Sequence, residues 1–422
     1  MLLASVFILG YLAIAFEQTL KVNKSASALL TGVVCWMIVI AGTNAGLIDS
    51  KLGVQLSGIS EILFFLLGAM AIVELIDAHD GFTLITEKLR TKSKRKLLFL
   101  VSLITFLLSS VLNNLTTALV MMSLVRKLVK DPTDRMYYGG MIIIAANAGG
   151  VWSPVGDVTT TMLWIGGQIS SLNIILKLFV PALVSLFLPY LWLRRKMSGN
   201  IEPPENEKTY SRPTTRFEQN LVLFTGAAVL LLVPVFKSVT LLPPYMGILF
   251  GLGILWSLTE IIHKQKNDEV KSSLSVAGAL QRIDTQSILF FFGILLAIGA
   301  LDAKGTLVSL AEHLHSSIGN LNLITLSIGL SSAIVDNVPL VAAAQGMYPL
   351  AEFPRDFYFW EFLAYCAGTG GSILIIGSAA GVAVMGTEHI SFGWYLRKIS
   401  VPAIIGYFGG ALAYIAIVEI LH

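Results

Sequence analysis

The chain has 422 residues, of which 55% are hydrophobic and only 13% charged, with a formal net charge of +3. Its mean hydropathy is +0.77, and soluble domains carry about a quarter charged residues. That balance excludes a soluble function, nucleic-acid binding included. The two cysteines, Cys35 and Cys366, both lie in apolar segments, so a disulfide framework is unsupported.

Apolar segments long enough to span a bilayer, about 20 residues, come first at 2–20, 26–46 and 59–78. Ala13-Ile14-Ala15 mimics a signal cleavage site, but no basic residues precede it, so 2–20 reads as a span. Next come the basic run Lys88, Arg90, Lys92, Lys94, Arg95 and Lys96, an apolar stretch over 97–125, and then Arg126. Basic residues mark the cytoplasmic face, so this stretch enters and leaves by one face. It is expected to be a re-entrant hairpin, 97–129, with Asn113 and Asn114 at its tip. Non-helical backbone at that depth is tolerated only where it is buried in protein or lines a cavity, and transporters hold cargo there. Further spans are expected at 137–165, 171–193, 217–240, 245–262, 285–303, 357–386 and 393–421, with a second hairpin at 321–350. The fold class is an all-α polytopic membrane protein with about ten spans plus two hairpins. Loops assigned to the cytoplasm hold 24 of the 29 Lys and Arg; only Lys51, Lys177, Lys237, Lys304 and Arg355 lie opposite. Both termini are therefore expected outside.

The chain repeats itself. Ile62-Leu63-Phe64-Phe65 recurs as Ile288-Leu289-Phe290-Phe291, and Asp77-Ala78 as Asp302-Ala303, each aspartate expected to cap the short helix that follows. Ser109-Ser110 before Asn113-Asn114 recurs as Ser331-Ser332 before Asp336-Asn337. Ala148-Gly149-Gly150 then Gly156-Asp157 recurs as Thr369-Gly370-Gly371 then Gly377-Ser378. The first copy starts outside and the second inside, which makes an inverted-topology repeat. The halves are joined by a polar linker over 195–216 with Pro203, Pro204 and Pro213, and a second basic loop covers 263–284. Neither carries a nucleotide motif, which argues against ATP-driven transport.

Four polar breaks are expected to converge. They are the tip Asn113-Asn114-Leu115-Thr116-Thr117, the segment from Asn147 to Thr159 with Pro154 and Asp157, the tip Asp336-Asn337-Val338-Pro339, and Gly368 to Ser378 with Thr369 and Ser372. Paired glycines and proline break helices and free carbonyl oxygens. With Asn, Thr and Ser these make a hard-oxygen shell suited to a small cation. Asp157 and Asp336 are the sharpest residues, because a carboxylate deep in a bilayer costs about 2.5–3.5 kcal/mol on insertion scales. An acid that holds a cation when ionised and a proton when neutral exchanges the two by competition. Both acids are equally placed to be helix N-caps, and Asn113 and Asn114 to shape a turn. Thr159, Thr369, Ser372 and Ser378 belong to the shell or bond back to their own helices. Glu74 and Glu361 are relay acids or face a wet vestibule. His79, beside Asp77 and Asp80, is an interfacial residue or a sensor of cytoplasmic pH.

The tip N-N-L-T-T, the run N-A-G-G-V-W-S-P-V-G-D-V-T-T and the second tip D-N-V-P resemble the NhaD sodium/proton antiporters of the ion transporter superfamily. The resemblance covers the chain from about residue 55 onward. It implies scaffold and transport domains, elevator-like displacement, a homodimer in a bacterial-type inner membrane, and export of Na⁺ or Li⁺ in exchange for protons. It singles out Asn113, Asn114, Thr116, Asn147, Asp157, Thr159 and Asn337, with Asp157, Asn114 and Asn337 as cation ligands. No cofactor or nucleotide is implied; Na⁺ or Li⁺ and H⁺ are cargo, and the protein is no enzyme. On this plan residues 1–58 are N-terminal scaffold spans and 59–194 the first repeat, with 97–129 and the broken helix 137–165. Residues 217–284 are scaffold spans and the basic loop, and 285–422 the second repeat, with 321–350 and the broken helix 357–386. The first tip is Asn-Asn but the second Asp-Asn, so the halves are chemically unequal and the proton count per cation stays open.

The same superfamily holds carriers of dicarboxylates, citrate and arsenite. An anion carrier favours positive groups or helix N-termini aimed at its cargo. No Lys or Arg occurs in the four breaks and two acids do, which favours a cation. A channel or a non-transporting scaffold is disfavoured by the repeat and the central acids.

Overall fold

The computed structural model describes residues 2–41, 45–82, 91–201 and 214–421. Lys88, Arg90, Pro203, Pro204 and Pro213 lie outside the described residues. Among those described, regular structure is helical, with one isolated antiparallel bridge between Ser93 and Asn200. The first half runs α1 (Leu2–Ala15), α2 (Glu17–Leu20), α3 (Lys24–Ala41), α4 (Ala45–Ala78), α5 (Lys94–Ser109), α6 (Asn114–Leu128), α7 (Pro132–Gly150), α8 (Val158–Ile165) and α9 (Ser171–Leu193). After the linker come α10 (Arg216–Thr240), α11 (Pro244–Ile262), α12 (Asp268–Leu274), α13 (Val276–Arg282), α14 (Thr285–Ala303) and α15 (Thr306–Ile318). The chain closes with α16 (Leu321–Ser331), α17 (Asn337–Met347), α18 (Tyr358–Gly370), α19 (Ala379–Glu388), α20 (Phe392–Lys398) and α21 (Ser400–Leu421).

Seven of these helices are long and apolar enough to cross a membrane: α3, the Lys51–Ala78 part of α4, α9, α10, α11, α14 and α21. The protein is a polytopic helical membrane protein. The other three expected spans are divided. Residues 2–20 bend at Phe16 and end at Lys21, which adopts a left-handed φ of 55°. Residues 137–165 and 357–386 are interrupted between Gly150 and Val158 and between Gly370 and Ala379.

One helical stretch was not legible as such. The gap between the second and third expected spans is occupied by α4, which runs unbroken from Ala45. Gly53 and Gly58 look like breakers, yet a Cβ at either would meet nothing within 4 Å, so packing neither requires nor opposes glycine there. The short α15 is amphipathic and buries Leu307 and Ala311.

Small residues bring helices together. A Cβ on Gly293 of α14 would lie 2.5 Å from the backbone of Ala28 and Leu29 in α3, and one on Gly32 would lie 2.6 Å from the Gly293 carbonyl. The Trp36 indole donates to Leu296 O at 2.9 Å and fixes the same pair. On the other side α9 and α21 meet at Gly406 and Gly410, against the carbonyls of Ser185 and Pro181. Against the second pair lie α7 and α18. Every residue from Tyr138 to Gly150 and from Phe359 to Gly370 is buried, as a helix apolar on all sides must be.

The two helical hairpins, α5–α6 and α16–α17, pack on these central helices by matching contacts. Ser109 Oγ donates to Ala146 O at 2.5 Å, and Ser332 Oγ to Ala367 O at 2.7 Å. Ser109 is thus equivalent to Ser332, one residue later than the Ser-Ser dipeptides suggest. Glu388, at the end of α19, accepts from both Arg126 and Arg135 and joins the ends of the two halves. The linker start is strapped to the first hairpin, with Ile201 N donating to Lys92 O at 2.7 Å and Arg95 Nε to Met197 O at 3.0 Å.

Candidate functional site

Each hairpin turns at an N-cap. The Asn113 side chain accepts from Thr116 N at 2.7 Å and starts α6; Asp336 accepts from Val338 N at 3.2 Å and starts α17. The next residue in each case, Asn114 and Asn337, is buried and points inward. Asp157 likewise caps α8, its Oδ1 accepting from Thr159 N at 3.2 Å.

The other oxygen of Asp157 is where the two hairpins meet. Oδ2 accepts from Asn114 Nδ2 and from Asn337 Nδ2, both at 3.4 Å, and the carboxylate is 2% exposed. Asn114 Nδ2 also donates to Asn147 Oδ1 at 3.1 Å. Asn147, fully buried in α7, sends its own amide to Ser372 Oγ at 2.9 Å and Ser378 Oγ at 3.0 Å. Gly368 closes the other side: a Cβ there would sit 3.4 Å from Asp157 Oδ2. The side chains gathered around the carboxylate are uncharged amides and hydroxyls. Cap and cluster member are one residue at Asp157.

The remaining candidates are arranged differently. Thr159 is fully buried in the first turn of α8, and Thr369 bonds back to Tyr365 O at 2.6 Å. Asn113 and Thr116 stay half-buried at the first tip. Asp336 lies outside the cluster and faces Lys24 Nζ at 3.8 Å. Glu74 pairs with Arg282 at 2.7 Å. Glu361 is buried against Asn173 and Tyr414. Asp302 does not cap α15, whose N-cap is Gly305; it accepts from Gln55 at 3.0 Å. Asp302 lines a cavity of about 420 Å³ with Gln55, Glu61, Met162 and Gln345, at the end of α8 opposite the one Asp157 caps.

Sequence reading missed the Lys24–Asp336 contact and the pairing of His79 with His263. Lys24 was read only as a topology determinant. Thr117, inside the quoted tip motif, buries a hydroxyl with no hydrogen-bond partner among the described residues. His79 meets His263 edge to edge through Nε2 atoms 2.8 Å apart, the ring centroids 5.0 Å apart and the planes 24° from parallel. Burial pushes both imidazoles down, His263 to about 4.

The citrate transporter family model matches residues 11–361. The chain is 49% identical over 420 residues to sodium/proton antiporter 1 of Arabidopsis thaliana, covering 98% of this chain and 72% of that protein. It is 46% identical to sodium/proton antiporter 2 of the same plant, covering 98% and 99%. It is 28% identical to the Na⁺/H⁺ antiporter NhaD of Alkalimonas amylolytica, covering 96% and 87%. The motifs at both tips and at Asp157 thus sit in a chain that aligns end to end with antiporters, and the protein belongs to the NhaD-type Na⁺/H⁺ antiporter family, within the reach of the citrate transporter family model.

Proposed function

We propose that this protein exchanges cytoplasmic Na⁺, or Li⁺, for external protons, with Asp157 as the shared site. The observation that carries this reading is the convergence of Asn114 and Asn337, one from each hairpin, on one buried carboxylate oxygen. Rotating either amide by a half-turn replaces its N–H with a carbonyl oxygen at little cost in shape. The shell then has two states: amide donors around the carboxylate, or amide oxygens and carboxylate around a cation. Proton and cation compete for Oδ2, so neither is carried together with the other.

The hairpins are taken as re-entrant, α5–α6 from the cytoplasm and α16–α17 from outside, in an inverted repeat that moves as an elevator between scaffold helices. The charge bias across the expected loops and the matched contacts of Ser109 and Ser332 support this. Both termini then face outside, and the protein works as a homodimer in a cell membrane of the bacterial inner-membrane type.

The family description favours one other reading, transport of a carboxylate anion. The site argues against it, since an anion beside Asp157 meets no positive side chain in the cluster. Proteoliposomes acidified inside settle the choice. Na⁺ and Li⁺ added outside are expected to dissipate the pH gradient, and K⁺ to do so weakly. A response to succinate or citrate that persists with an impermeant counter-cation sinks the exchange reading.

A further inference from the structure

We infer that Lys24 is a tethered competitor of the transported cation: its ammonium holds Asp336 and must be displaced when a cation enters. This inference rests on the proposed cation exchange and adds a residue to it.

Lys24 opens α3, and Asp336 caps α17, so the contact ties the start of α3 to the tip of the α16–α17 hairpin, which also packs on α14, the partner of α3. The pair is loose. Its separation is 3.8 Å, against 2.8 Å for Lys266–Glu218 in the same protein, and the two side chains are 30% and 20% exposed. Lys24 is nonetheless aimed. Its ammonium lies 4.6 Å from the centroid of the Phe290 ring, a cation–π contact, and its backbone N donates to Glu17 Oε1 at 3.0 Å. Tyr11 of α1 adjoins Asp336 as well, so α1 and α3 both reach the tip of the hairpin.

Position gives this contact a consequence. Asp336 is the chain neighbour of Asn337, which donates to Asp157. Its Oδ1 caps the same helix that presents that amide. A small cation approaching Asp157 along this tip meets Asp336 first, and one carboxylate cannot satisfy an ammonium and a mobile cation fully at once. Displacing Lys24 removes an attachment between the α16–α17 hairpin and α3. Cation entry and release of the hairpin become one event, while the empty site stays pinned. The arrangement has no twin in the first half, where the equivalent residue is the neutral Asn113.

Purified full-length protein is titrated with NaCl at constant ionic strength, reading the melting temperature, and exchange is measured in proteoliposomes over the same Na⁺ range. An exposed ion pair of ordinary strength predicts that Lys24→Met and Lys24→Gln lower the half-saturating Na⁺ concentration about two- to fivefold. Turnover is expected to change separately, and Lys24→Arg to stay near wild type. In an Asp336→Asn background the melting titration is expected to show no further effect of Lys24→Met. Unchanged or raised half-saturation in both neutral variants overturns the inference, and so does an equal shift in the Asp336→Asn background. A wild-type protein that responds to Na⁺ in neither assay overturns the exchange reading first, and this inference with it.

Discussion

Asn147 Nδ2 donates to Ser378 Oγ at 3.0 Å, so one amide of α7 is held by the residue that caps α19 in the other half. The same amide group serves Ser372 and receives Asn114, and it ties three of the four polar breaks together. Asn147→Ala leaves a buried amide and two buried hydroxyls short of a partner. An unsatisfied buried group costs about 1–3 kcal/mol. The variant is expected to melt several degrees lower in detergent and to lose exchange. A melting temperature equal to wild type would show that the network carries no stability.

Glycine at 368 has a specific reason. An added Cβ would come within 2.2 Å of Val151 Cγ1 and 3.4 Å of Asp157 Oδ2. Overpacking of this kind costs about 1–3 kcal/mol. Gly368→Ala is expected to fold with reduced exchange, and adding Val151→Ala to restore most of it. Gly370→Ala is a harsher case, because its Cβ would meet the Gly329 carbonyl oxygen at 1.9 Å, and backbone cannot step aside. It is expected to fail in expression, with no rescue from Val151→Ala. Equal behaviour of the two alanine variants would contradict this account.

The histidine pair makes stability depend on pH. His79 Nδ1 lies 2.7 Å from Leu75 O, so it donates there and Nε2 is left to accept. The 2.8 Å contact between the Nε2 atoms then requires a proton on His263 Nε2. That leaves His263 Nδ1 bare, 3.6 Å from Glu218 Oε1, with Lys266 on the same carboxylate. Both imidazoles are neutral when folded, with His263 pushed down to about 4 by burial. The unfolded chain titrates near about 6.5 and binds more protons between these values. The contribution is complete above about 6.5 and is lost as pH falls toward 4. The melting temperature is expected to fall across that window, and His263→Gln to flatten the slope. A slope unaltered in His263→Gln places the acid sensitivity elsewhere.

Much of the site was readable because helix breaking is local chemistry. Gly149, Gly150 and Pro154 mark a break because they fall in the polar run from Asn147 to Thr159, whereas Gly139-Gly140, Gly409-Gly410, Pro181, Pro189 and Pro234 sit in apolar surroundings inside unbroken helices. Asn113 and Asp157 are caps by residue type alone. Contacts across the fold were not readable. His79 and His263 are 184 residues apart, and nothing in either neighbourhood points to the other. Lys24 sits among loop charges that explain topology without any partner. The equivalence of Ser109 with Ser332 required geometry, since the Ser-Ser dipeptides match better in the other register, where Ser110 meets Ser332 instead of Ala333. The start of α4 was missed for the opposite reason: Gly53 and Gly58 lower helix propensity, but summed propensity over a long helix tolerates isolated glycines.

Orientation follows from charge. Single cysteines at Ser198 and Asn320, in a Cys35→Ala, Cys366→Ala background, are expected to label from opposite faces of sealed vesicles. Both native cysteines are buried and free, so removing them silences the background. Labelling of both positions from one face would undo the re-entrant reading of the hairpins.

Asp157 carries the proposed mechanism, and its substitutions separate its two duties. As a cap it needs only an oxygen for Thr159 N, which Asn supplies. As the exchange site it needs a group that ionises, which Asn does not. Asp157→Asn is therefore expected to express, insert and melt near wild type, while Na⁺-dependent proton movement falls to the level of empty liposomes. Asp157→Glu keeps the charge but moves the oxygens by one methylene toward Asn114 and Asn337, whose amides already reach Oδ2 at 3.4 Å. Exchange is expected to survive with a higher half-saturating Na⁺ concentration. Melting curves with and without NaCl supply the control: Na⁺ should stabilise wild type and leave Asp157→Asn unmoved. Well-folded Asp157→Asn protein exchanging Na⁺ for protons at the wild-type rate would reduce Asp157 to a cap, and the two hairpin amides would then converge on a residue with no part in transport.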